Sequence, residues 1–212
     1  KMPEFNDYAV LYEILKEFIQ SESVDEIYSA ILFSVMGQLG VSSASILAPS
    51  ESDPDKWVIT QSNGIKIPES ELAWDVSHGI LEILKKFQGV IDVEDIKEDV
   101  SLREDYYRFI SADARLIVPV IHSGELAGVI MVGEKLDSEN FSPSEIEFLS
   151  SLSETASSAI KAISTYEKAN TELLGLRIEK EILFDVEIMQ QTLLSAGSIH
   201  ELEDIIRKNF YS

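Results

Sequence analysis

Cysteine is missing from this chain altogether. Disulfides, thiolate metal sites and thiol nucleophiles are therefore excluded. Histidine is nearly as scarce, with only His78, His122 and His200. His122 falls in a polar turn and reads as exposed, and His200 sits in the first turn of a helical pattern. No His-Glu-x-x-His, phosphate loop, dinucleotide fingerprint or Gly-x-Ser-x-Gly elbow occurs, so the nucleophile, base and orienting group of a catalytic site have no visible source. The sequence argues against an enzyme and names no cofactor. Basic side chains are few, 17 Lys and Arg against 38 Asp and Glu, for a net charge of −21. Nucleic acid and anionic membrane surfaces, which recruit basic patches, are not expected partners. No apolar run approaches the roughly 20 residues that span a bilayer, and no secretory leader is visible. Lys1 ahead of Met2 reads as a fragment or tag remnant, so a cytoplasmic location is the default expectation.

What is present suffices for a sizeable core: 212 residues, enough for one good domain with an extension or for two small ones. The densest acidic stretch, Asp92 to Asp105, sets seven carboxylates against Lys97 and Arg103. It lacks the fixed spacing of a cation-binding loop and reads as a solvated face.

In chain order, Asn6 or Asp7 is placed to cap a first helix whose apolar stripe is Tyr8, Leu11, Tyr12, Leu15, Phe18 and Ile19. Ser23 and Glu26 form a capping box for a second helix, closed by Gly40. Residues 44–49 and 56–62 read as strands, followed by a turn at Asn63-Gly64. Pro68 to Ala73 reads as irregular, Ser77 to Phe87 as a short helix, Val90 to Val93 as a short edge strand, and Leu102 to Ile110 as another short helix. Helices grouped around an antiparallel sheet give an α+β domain.

From Ser142 a helical pattern runs to about Ser195 with only Gly175 interrupting it, about 80 Å if continuous. Leu149, Leu152, Ala156, Ala159, Ile163, Tyr166, Asn170 and Leu173 alternate by three and four, as in a coiled coil with one polar seam position. The phase slips after Leu173 and is restored by Ile182, Val186, Met189 and Leu193. Residues 1–165 thus read as a globular domain, 166–195 as a coiled-coil linker helix, and 196–212 as the start of a following helical segment. A shift of 175 positions overlays the last stretch on the first, Ser198 and Glu201 meeting Ser23 and Glu26. A truncated second domain beginning near residue 180 would explain it, and so would a helical hairpin.

The organising stretch is Ala114 to Leu149. Two apolar runs rich in β-branched residues flank His122-Ser123-Gly124-Glu125, which reads as a β-hairpin in the middle of a sheet covered on both faces. Ser142, Pro143 and Glu145 then open the long helix. Ala114, Leu116, Val118, Pro119, Val120, Gly124, Gly128, Val129, Ile130, Phe141, Ser142 and Glu145 resemble the motif of the GAF family of small-molecule sensor domains, over about residues 7–165.

The resemblance implies a GAF-like antiparallel sheet flanked by helices, with a long C-terminal signalling helix. It implies a regulatory sensor of a signal-transduction protein that binds a small molecule, dimerises, or both, and transmits to an output domain. The homodimer would form through the first helix and the long C-terminal helix. A ligand would lie between one sheet face and the section from Pro68 to Ile110. Trp74, His78, Tyr106, Tyr107, Phe109 and Arg115 are the candidate ligand-binding residues. A cavity of a few hundred Å³ there would favour sensing, whereas a space plugged by Trp74, Tyr106 or Phe109 would favour a ligandless dimerisation scaffold. Members of the family that bind cyclic nucleotides carry Asn-Lys and then Phe-x-x-x-Asp-Glu. Glu134-Lys135 and Phe141 through Glu145-Ile146 keep the Lys and Phe but lose the Asn and the final Glu. Bilin-linking and methionine sulfoxide reductase members rely on Cys, which this chain lacks.

Overall fold

The computed structural model describes residues 5–195, apart from 51, 54, 66–72, 76–78 and 88. The chain divides into two compact units, Lys1–Ser164 and Thr165–Ser212. The first holds a six-stranded antiparallel sheet: β1 (Ala44–Pro49), β2 (Lys56–Asn63), β3 (Ala73–Asp75), β4 (Ile91–Asp92), β5 (Leu116–His122) and β6 (Glu125–Val132), in the order β3-β2-β1-β6-β5-β4. Helices α1 (Phe5–Gln20), α2 (Val24–Leu39) and the start of α5 (Pro143–Ser195) accompany it, together with α3 (Gly79–Lys86) and α4 (Arg103–Ser111).

The near-continuous apolar runs of the hairpin follow from two cores. Leu116, Val118 and Val120 of β5 point into one, with Ile130 and Val132 of β6, the α2 residues Ile27, Ile31 and Val35, and Leu149, Leu152 and Ala156 of α5. Ile117, Val129 and Met131 point the other way, into a core shared with Ile80, Leu81 and Leu84 of α3 and Phe109 of α4. Alternate side chains of one strand thus serve opposite layers, and both must be apolar. The hairpin turn is Ser123-Gly124, both at positive φ (53° and 82°), the twist that suits a two-residue hairpin loop. His122 beside it is half-buried rather than exposed.

Several expectations shift. α1 is helical over Phe5–Gln20, a range that takes in Asn6 and Asp7. Its apolar residues split over two faces: Ile14 and Phe18 are buried, while Tyr12, Leu15 and Ile19 are exposed. The stretch after residue 72 supplies a third strand, β3, and the edge strand expected over Val90–Val93 is only Ile91–Asp92. Two 3-10 turns, Val93–Ile96 and Val100–Leu102, break the acidic stretch, capped by the Asp92 and Asp99 carboxylates. That stretch is not wholly solvated, because Asp105 is buried.

The short β4 leaves β5 without a strand on its outer side beyond Ile117. Pro119 sits in that gap. Its carbonyl accepts a hydrogen bond from Ser153 Oγ at 2.6 Å, and the Ile121 carbonyl accepts one from Ser157 Oγ. A strand residue directs its N–H and C=O to the same side, so the N–H that proline lacks would have faced this gap and no ladder bond is lost. The two serines lie four apart on α5, one turn, and cap the open edge in place of a strand.

α5 opens on the expected box: the Glu145 N–H donates to Ser142 Oγ at 3.3 Å and the Ser142 N–H to Glu145 Oε2 at 2.7 Å. In the second unit, residues 165–191 are exposed wherever their side chains are described, including Tyr166, Leu173, Ile182, Phe184 and Val186. The expected second-domain segment 196–212, with His200 and the repeat of the capping box, lies outside the described residues.

Candidate functional site

The α3 and α4 side of the sheet is where five of the six candidates were expected to meet. β2 and β3 pair Trp57 with Trp74 across the strands. Trp74 is fully buried, and its ring lies 5.3 Å from that of Phe109, tilted by 31°. Phe109 is fully buried as well, and together the two rings fill space between β3 and α4. Arg108 ties the same elements together, Nη1 donating to the Ala73 carbonyl at 2.9 Å. Among the described residues Trp74 Nε1 is a buried donor without an acceptor, which is uncommon for a group that is costly to leave unpaired.

Tyr106 is half-buried and packs against the same core. Its hydroxyl donates to Glu94 Oε1 at 3.0 Å, and its ring meets Tyr107 edge-on at 5.4 Å. Lys97 and the Tyr106 hydroxyl hold the Glu94 carboxyl below the ordinary carboxylate range. Tyr107 is exposed. His78 lies outside the described residues. The structure therefore brings Trp74 and Phe109 together in the core and sets Tyr106 and Tyr107 toward its rim.

Arg115 stands apart from these aromatics. Its Nη2 meets Asp92 Oδ2 at 2.7 Å, both side chains being partly exposed. The pair lines a cavity of about 340 Å³ with Asp95, Glu134, Glu139 and Phe141. The carboxylates outnumber the one guanidinium, so this cavity is acidic. Beside it, Lys135 Nζ meets Glu145 Oε1 at 3.0 Å, so the one Lys shared with the cyclic-nucleotide-binding members braces the loop before α5 against the helix start.

A second cavity, of about 320 Å³, lies at the open edge of β5. Gly89, Val118, Pro119 and Ile121 line it on one side, and Ser150, Ser153, Glu154, Ser157 and Ser158 of α5 on the other. None of these residues stands out as a site in the sequence. The available signal was the run of serines at helical spacing on α5, which reads equally as a small-residue face packed on a sheet.

A family model described as "GAF domain" matches residues 21–161. Among solved structures, the GAF domain of a phosphoenolpyruvate-protein phosphotransferase from Acinetobacter is similar with a TM-score of 0.57 at 17% identity, covering 76% of this chain and 96% of that one. A segment of a methyl-accepting chemotaxis protein gives a TM-score of 0.58 at 17% identity, covering 72% and 98%. The chromophore-binding domain of a bacteriophytochrome from Stigmatella aurantiaca gives 0.57 at 14% identity, covering 76% and 62%. No curated protein matches the chain.

Proposed function

Since this chain belongs to the GAF domain family, a family of sensor and signalling domains, we propose that it is the regulatory module of a cytoplasmic signal-transduction protein, working as a homodimer and relaying through α5 to an output domain. The observation that carries this reading is the second unit of α5. A helix whose Leu173, Ile182, Phe184 and Val186 are all exposed gains little stability alone in water, and a second copy that covers its seam supplies what is missing. The outer stripe of α1, Tyr12, Leu15 and Ile19, is a further surface for the second copy. The filling of the α3 and α4 side by Trp74 and Phe109 supports dimerisation as the primary work of the domain. Light scattering on the whole chain at high micromolar concentration tests the reading. A mass twice that of the chain is expected, and a monomer would remove the mechanism.

A second reading, small-molecule sensing beneath α3 and α4, is favoured by one observation, the Trp74 Nε1 donor without an acceptor among the described residues. A ligand oxygen seated there would satisfy it. Titration with candidate ligands while following tryptophan emission tests this, since Trp74 and Trp57 lie in that core. A Trp74→Phe variant that keeps full affinity would count against it.

A further inference from the structure

The cavity between the open edge of β5 and α5 is unusual in what its side chains offer. Ser153 Oγ donates to the Pro119 carbonyl and Ser157 Oγ to the Ile121 carbonyl. Ser150 Oγ donates to the Ile146 carbonyl at 3.1 Å and Ser158 Oγ to the Glu154 carbonyl at 3.1 Å. A hydroxyl has one proton and two lone pairs. All four lining serines have therefore committed their proton to a backbone carbonyl and present only acceptors. Among the described residues that line the cavity, the remaining polar side chain is the Glu154 carboxylate, which has no ion-pair partner among the described residues, and there is no Lys, Arg, His, Asn or Gln. Pro119 has no N–H to give. Against these acceptors stand Val118, whose side chain faces the α5 layer, and Pro119 and Ile121 at the open strand edge.

From this we infer a binding site, on the opposite side of the sheet from the Trp74 region, for a small organic ammonium compound: a primary ammonium group on a short apolar stem. The ammonium has three donors and no acceptor. It meets the Glu154 carboxylate and the serine lone pairs as charge-assisted hydrogen bonds, while the stem lies along Val118 and the open edge of β5. Among the described residues, an anion or a carbonyl-bearing ligand finds no side-chain donor here and meets the Glu154 carboxylate instead. The volume, about 320 Å³, lies at the lower end of the range for small-molecule sites. A bound molecule would bridge α5 to the one stretch of β5 that lacks a neighbouring strand, and so would bear on how firmly this end of α5 is seated.

The test uses the whole chain and n-pentylammonium chloride, followed by backbone amide NMR shifts, with n-pentanol as the neutral stem and pentanoate as the opposite charge. The ammonium is expected to shift Gly89, Val118, Ile121 and residues 150–158, with a Kd on the order of 1 mM or tighter. Pentanol is expected to bind roughly tenfold more weakly, and pentanoate not detectably. Glu154→Gln is expected to cost roughly tenfold in affinity, while Glu147→Gln on the same helix leaves it unchanged. Shifts scattered over the acidic surface and unaltered by Glu154→Gln would overturn the site, as would equal binding of pentanol or the absence of saturable shifts up to about 10 mM. Glu154 is exposed, so its substitution tests the site without disturbing the core.

Discussion

At the scale of single residues, the clearest example of sequence dictating structure is the pairing of Gly128 with Tyr28. The Tyr28 hydroxyl donates to the Ala127 carbonyl at 3.0 Å, tying α2 to β6, and a Cβ added at Gly128 would meet that hydroxyl oxygen at 3.2 Å. The small residue in the Gly-Val-Ile motif is therefore demanded by a ring 100 positions earlier in the chain. Tyr28→Phe should cost about 1 kcal/mol. Gly128→Ala should cost about 1 to 3 kcal/mol by overpacking, and less in the Tyr28→Phe background, because the atom it presses on is gone. A double-mutant cycle by urea denaturation measures that coupling. Burial, with a smaller contribution from the Asp25 carboxylate, pushes the Tyr28 pKa from 10.0 up to about 12. Ionisation is thus harder in the folded state. The resulting stability is whole below pH 10 and is lost as pH rises toward 12. Urea midpoints measured across that window should fall in the parent chain and fall less in Tyr28→Phe.

At the scale of elements, the capping box and its lysine offer the sharpest prediction. Desolvation pushes the Glu145 carboxyl upward, but the Ser142 N–H and Lys135, with the Ser142 hydroxyl, outweigh it and leave it below its ordinary 4.5. The stability this contributes is present above pH 4.5 and is lost as pH falls through the lower folded value. Ser142→Ala should cost about 1 kcal/mol, read from thermal unfolding, and Glu145→Gln should flatten the acid limb below pH 4.5. At the β5 edge, Ser153→Ala leaves the Pro119 carbonyl without its donor and should cost about 1 to 3 kcal/mol, an effect that an exposed serine such as Ser158 would not show. These elements also mark what was legible beforehand. The β5–β6 hairpin and the α5 start were readable because β-branched runs, a Gly turn and Ser-Pro-x-Glu are local signals. β3 was not: Ala73–Asp75 is three residues long and is held by Trp57 and Arg108, partners distant in sequence. The two faces of α1 were merged into one stripe because periodicity reports apolar spacing and not which side meets the core. Asp105 was hidden in an acidic run whose composition speaks of water while its own position faces inward. Of the candidate site, the burial of Trp74 and Phe109 against one another depended on the α4–β3 packing, and the serine-lined cavity arises only because β4 stops after two residues.

For the molecule as a whole, the family fold explains the first unit, and the exposed residues of α5 pose the question for the second. On the reading proposed above, a second copy of the chain covers them, paired along Tyr166, Asn170 and Leu173, and again along Ile182 and Val186 after the phase slip. Such a pairing leaves two stretches of seam in different phase, and a rotation that favours one over the other is a physical means of carrying a signal. The absence of native cysteine makes the decisive measurement a clean one: single Cys substitutions from residue 165 to 191, oxidised in solution, with cross-linked dimer quantified for each. Tyr166→Cys, Asn170→Cys, Leu173→Cys, Ile182→Cys and Val186→Cys are predicted to form the most disulfide, with Lys168→Cys, Glu172→Cys and Glu187→Cys far below them. Uniformly low cross-linking along the helix, or maxima at Lys168, Glu172 and Glu187, would contradict the pairing.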